Sequence, residues 1–125
     1  MNELVARARA SARSARLLLE TGDTIGAVSR AYYAMFDLAR AALRDIDPKL
    51  AAAKTHATII SRFSKHIVKE KGYSPELARA LRRAFDARLV ADYSYDTVTM
   101  EVAAEVVDGM DRFLADITRA LGDES

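Results

Sequence analysis

Three short stretches of this 125-residue chain carry side chains able to grip or attack a phosphate. In Arg88-Leu89-Val90-Ala91-Asp92-Tyr93-Ser94-Tyr95, helical spacing puts a guanidinium on the apolar face of Leu81, Ala84 and Phe85. A charge on such a face needs a partner. One reading makes Asp92, a turn further on, that partner in a partly buried ion pair. The other leaves Arg88 in a cleft, binding phosphate in fork geometry, with the Tyr93 and Tyr95 hydroxyls as hydrogen-bond partners or acceptors of a transferred group.

Lys54-Thr55-His56 stands at the expected start of a helix, where free backbone amides and two cationic side chains together suit an anion. His56 also shares a stripe with Ile60, Phe63 and Ile67, so the alternative is a hydrogen-bonded histidine at the edge of the core. The third stretch is Ser29-Arg30-Ala31-Tyr32-Tyr33-Ala34-Met35-Phe36. Tyr32 and Phe36 read as core or dimer interface, because rings bury large areas, whereas Arg30 and Tyr33 lie off the seam and stay open as ligand contacts. With no cysteine, and with His56 and His66 on one helix, neither a metal site nor a cofactor is expected.

Something must position these groups, and the composition says helices. Ala, Leu and Arg dominate, with five Gly and two Pro. Most of these residues lose little rotamer freedom in a helix, so almost no strand is expected. Half the residues are hydrophobic, enough for one core, so a single domain over 1–125 is the expectation. No stretch approaches the roughly 18 consecutive apolar residues of a membrane span. Met1-Asn2-Glu3 followed by Arg7, Arg9, Arg13 and Arg16 is unlike a signal core, so a cytoplasmic location without membrane contact is expected. Residues 1–91 hold 17 Lys and Arg against 9 acids, and residues 92–125 hold 2 against 9. The basic part either faces a polyanion or packs beside the acidic part and is neutralised by it.

Apolar periodicity and stop signals give helices at about 2–21, 24–44, 54–71, 75–93 and 99–121. Gly22 ends the first, Asp23 or Thr24 caps the second, and Asp47-Pro48 breaks it before an Ala-rich loop or short turn. Gly72 and Ser74-Pro75-Glu76 mark a helix end and a new start. Gly109 suits a close helix crossing. The resulting fold class is all-α, an antiparallel bundle of four to five helices.

Taken in order, the three stretches resemble small prokaryotic HEPN-domain (higher eukaryotes and prokaryotes nucleotide-binding) proteins from the second helix to the fifth. The resemblance implies a helical bundle that forms a homodimer, often beside a minimal nucleotidyltransferase protein with which it makes a toxin and antitoxin pair. Many such proteins are metal-independent ribonucleases whose motif is Arg, four to six residues, then His. Arg88 matches the arginine; Tyr93 stands where the His is expected, and no His follows. In one branch the motif continues to a Tyr that the partner adenylylates, and Tyr95 holds that position. The candidate catalytic residues are therefore Arg88, Asp92, Tyr93 and His56, with His56 replacing the missing base if the fold brings it near Arg88. Lys54, Arg30 and Tyr33 are the candidate ligand-binding residues, and Tyr95 the candidate modification site.

Three functions fit. The first is a HEPN-type toxin–antitoxin component binding RNA or a nucleotide in a dimer cleft, with ribonuclease activity as its extension. The second is a non-catalytic regulatory subunit for a nucleotidyltransferase, and the third a helical scaffold.

Overall fold

Asn2 opens the first helix, its side-chain oxygen accepting from the N–H groups of Leu4 and Val5 at 3.0 and 3.3 Å. The computed structural model describes residues 2–93 and 97–123. Helix α1 spans Glu3–Glu20 and buries Leu4, Val5, Ala8, Ala12 and Ala15 against α2. Its end turns at Gly22, whose φ of 85° is a conformation that only glycine adopts without strain. Asp23 then caps α2, Thr24–Ile46, by accepting from the Gly26 N–H at 2.8 Å.

Helix α2 is the axis of the fold: α1, α5, α6 and the α4 segment all pack on it. It buries Ala27, Val28, Ala31, Tyr32, Ala34, Met35, Phe36, Leu38 and Ala39 on more than one side, too wide a band for a surface helix. Asp47 terminates it in extended conformation, as the following Pro48 requires. The same Asp47 caps α3, a single turn over Pro48–Ala51, which is the outcome of the expected loop or short turn.

Thr55 caps α4, His56–Arg62, its Oγ1 accepting from the Thr58 N–H at 3.2 Å. From Phe63 to Glu70 the helix continues with the wider turns of a π-helix. This places Phe63 against Phe113, with ring centroids 5.1 Å apart, and buries Ile67. Gly72, at φ 79°, ends it. Ser74 accepts from the Glu76 N–H at 3.2 Å and starts α5, Pro75–Tyr93. Thr99 caps α6, Met100–Ala120, which buries Val106, Met110, Phe113 and Ile117. A Cβ at Gly109 would stand 3.3 Å from the Ala80 Cβ, so α5 and α6 cross closely there.

The fold is an all-α antiparallel bundle, and no strand occurs among the described residues. The acidic α6 lies beside basic helices: Arg16 of α1 pairs with Asp111, Arg83 of α5 with Glu105, and just beyond the end of α6 Asp123 meets Arg9 at 3.3 Å. Much of the charge asymmetry along the chain is thus internal. No helix is long and apolar enough to cross a membrane.

Candidate functional site

Tyr32 is fully buried at the middle of α2, and the other residues of the site gather around its ring. Its hydroxyl lies 2.7 Å from Nδ1 of His56. The His56 ring is stacked on Phe36, one turn along α2, with centroids 4.2 Å apart and planes 19° apart. From α5, the Arg88 guanidinium carbon sits 5.4 Å from the centroid of Tyr32 and 5.0 Å from that of Tyr33. Tyr33 meets Tyr32 edge-on at 5.4 Å. Three elements therefore converge: α2 supplies a floor of Tyr32, Tyr33 and Phe36, the start of α4 supplies His56, and α5 supplies Arg88.

Local reasons put each group there. The Thr55 cap fixes the entry of α4, so its first residue, His56, faces α2. Leu77, Leu81 and Ala84 are buried, and Arg88 continues their face past Phe85, whose ring is 5.7 Å from Tyr32. A guanidinium over aromatic faces gains about 0.5–2 kcal/mol according to its desolvation. Asp92, four residues on, reaches Arg88 Nε at 3.2 Å. With 17 % of its side-chain surface exposed, Arg88 is ion-paired yet open on one side.

Burial depresses the His56 pKa, and the Arg88 and Arg40 guanidiniums lower it further. Neutral imidazole is thus the resident form near neutral pH. Burial likewise raises the Tyr32 phenol, partly countered by Arg88, so its proton stays on. The tautomer of His56 sets what its outer nitrogen does. If Tyr32 O–H donates to Nδ1, Nε2 carries the hydrogen and donates to a ligand oxygen; if Nδ1–H donates to the Tyr32 oxygen, Nε2 is free to accept a proton.

The remaining candidates that are described are exposed. Lys54 is exposed, two residues before His56, and Arg30 is exposed on α2. Tyr93 is 80 % exposed. Tyr95 lies outside the described residues. His66 bonds Glu70 through Nδ1 at 2.7 Å and takes no part in the site. Among the described residues no group of three His, Asp or Glu side chains could hold a metal ion. Sequence reasoning missed Arg40, although its position four residues after Phe36 and seven after Tyr33 puts it on the same stripe of α2.

A family model described as the HEPN domain matches residues 1–120. A Methanocaldococcus jannaschii protein named "Putative toxin MJ0605" is 33 % identical over 121 residues, covering 94 % of this chain and 86 % of the relative. A Gloeobacter violaceus protein named "UPF0332 protein glr0978" is 35 % identical over 91 residues, 73 % of this chain and 70 % of its own length. A second M. jannaschii protein, "Putative toxin MJ0142", is 29 % identical over 107 residues, 84 % of this chain and 67 % of its own.

Proposed function

Because the chain belongs to the HEPN domain family, we propose that it is a toxin-type HEPN protein that binds RNA, with the phosphodiester held between Arg88 and His56. The observation that carries this is that both side chains meet the same Tyr32, through a 5.4 Å cation–ring contact and a 2.7 Å hydrogen bond. In this reading His56 of α4 takes the part of the missing motif histidine. Two of the relatives carry the word toxin in their names. Arg88 supplies a fork of donors to the non-bridging oxygens, and His56 sits beside it in neutral form.

Cleavage would be a transesterification without metal. His56 Nε2, in the tautomer that leaves it unprotonated, takes the 2′-hydroxyl proton while the 2′-oxygen attacks phosphorus. The bond to the 5′-oxygen breaks, that oxygen takes up a proton, and a 2′,3′-cyclic phosphate remains. Arg88 stabilises the extra charge on the phosphorane.

In this proposal two copies of the chain form the cleft. Leu89, Val90, Tyr93 and Met100 are large apolar side chains left exposed where α5 ends and α6 begins, beside Arg88 and Asp92. A second copy covers them in a homodimer.

One observation favours a rival reading, the non-catalytic subunit of a nucleotidyltransferase partner. His56 Nδ1 is the hydrogen-bond partner of the buried Tyr32 hydroxyl. If that hydroxyl is the donor, Nε2 becomes a donor too, which suits holding a phosphate and not removing a proton. Tyr95 would then be the hydroxyl offered to the partner.

The deciding experiment incubates the protein and Arg88→Ala with RNA in chelator and looks for 2′,3′-cyclic phosphate ends, with folding checked by circular dichroism. Cleavage by the parent and not by the folded variant establishes the ribonuclease. Binding that depends on Arg88, without cleavage, moves the function to the regulatory subunit. Neither binding nor cleavage overturns the site.

A further inference from the structure

We propose that Arg40 is a second substrate-phosphate contact of this site, engaging the phosphate next to the one held by Arg88; the inference rests on the RNA-binding reading above. It starts from what half-buried arginines do elsewhere in the molecule. Arg9 holds the Asp123 carboxylate and its carbonyl, the latter at 2.6 Å. Arg16 holds Asp111. Arg62 donates to the carbonyls of Lys49 and Leu50 at 3.4 and 3.0 Å. Arg88 has Asp92 and two aromatic faces. Arg40 is also half-buried, and among the described residues no hydrogen bond or ion pair within 4.0 Å holds its guanidinium, although Asp37, three residues before it, feels its charge. Among the described residues no side-chain nitrogen is buried without a partner, so the Arg40 donors are open to solvent and to an arriving anion.

Its place supports a shared ligand. Along α2 the order is Tyr33, over which Arg88 sits, then Phe36, on which His56 stacks, then Arg40. The seven residues from Tyr33 to Arg40 rise about 10 Å, and Phe36, on which His56 stacks, lies between them on the helix. Both cations are close enough to His56 to lower its pKa. The acid nearest in sequence, Asp37, makes its ion pair with Arg7 of α1 at 3.6 Å, and Arg40 adds only a weaker attraction. Two cations near one neutral imidazole, spaced along α2, suit a chain of phosphates, whereas a lone phosphate would need only one of them.

The test is binding of an unstructured single-stranded oligoribonucleotide in chelator, by fluorescence anisotropy at several salt concentrations. Parent, Arg40→Gln, Arg40→Lys, Arg88→Gln and, as a charge-loss control on the exposed face of α1, Arg13→Gln are compared. Arg40→Gln is expected to reduce the slope of log K against log salt by about 0.7, one phosphate contact on a single strand. Arg40→Lys keeps the slope, and Arg13→Gln matches the parent. In parallel, Arg40→Gln raises the His56 pKa read by NMR, with His66 as the internal reference. Loss of slope in Arg88→Gln with none in Arg40→Gln overturns this inference and leaves the site reading intact. Parent-like binding in both overturns the site reading, and this inference with it. If Arg40→Gln loses its helical signal, Arg40→Leu, which buries no polar group, carries the same comparison.

Discussion

The Tyr32 hydroxyl and His56 Nδ1, on α2 and α4, are 2.7 Å apart, and the same tyrosine ring carries Arg88 on α5. One fully buried phenol thus sets the orientation of the imidazole and the position of the guanidinium. A ring held by a hydrogen bond on one side and by stacking on Phe36 on the other has little rotational freedom, which is what a binding or proton-accepting group needs.

Tyr32→Phe keeps the packing and deletes the hydrogen bond. The partner nitrogen, left half-buried, costs about 1–2 kcal/mol. The expected result is a lower urea midpoint, an unchanged helical spectrum and RNA affinity reduced several-fold. Affinity equal to that of the parent would mean that His56 does not need the bond to reach its ligand.

His56 makes stability depend on pH. Burial and the nearby guanidiniums hold its folded pKa below the ordinary histidine value of about 6.5, so on acidification the unfolded chain takes up the proton first. Stability is therefore full above about 6.5, declines as pH falls from there to the folded value, and levels off below it. Urea titrations between pH 5 and 8 should show that slope in the parent and a flatter one in His56→Gln. Equal slopes would assign the dependence to other groups.

Asp37 works in the opposite sense. Burial raises its pKa, with Arg7 and Arg40 offsetting part of the penalty. A carboxyl whose folded pKa is raised binds its proton more tightly when folded, so its ionised form weakens the fold at neutral pH, and the penalty fades as pH falls through the folded value. Arg7 is 68 % exposed, so losing the ion pair costs little. Asp37→Asn is expected to raise the urea midpoint at pH 7, with a smaller gain at pH 4. A lower midpoint at pH 7 would show that the pair outweighs the burial.

Leu89→Glu tests the proposed second copy. Leu89 is 37 % exposed beside Arg88, so a charge there costs a monomer within about 0.5 kcal/mol but is poorly tolerated inside an apolar interface. Light scattering should give a dimer for the parent and a monomer for the variant. A parent that is already monomeric removes the dimer cleft from the proposal.

The helix ends are legible in the sequence because a cap is a local event. Thr99 accepts from an N–H three residues away at 3.1 Å, and the left-handed turn at Gly72 needs only the absent Cβ. Arg88, with Asp92 one turn on, is likewise visible as a charge on an apolar helical face. Periodicity gives an angle around one helix axis and nothing about which neighbour that face meets. Hence only the tertiary structure decides that His56, 32 residues before Arg88 in sequence, shares Tyr32 with it, as a hydrogen-bonded histidine. The π-helical turns from Phe63 to Glu70 have no local signal either; they arise where Phe63 packs on Phe113. Arg40 escaped notice for the same reason. A lone arginine on an amphipathic helix reads as a solvated charge until the fold half-buries it where its charge reaches His56, with no carboxylate within ion-pairing distance among the described residues.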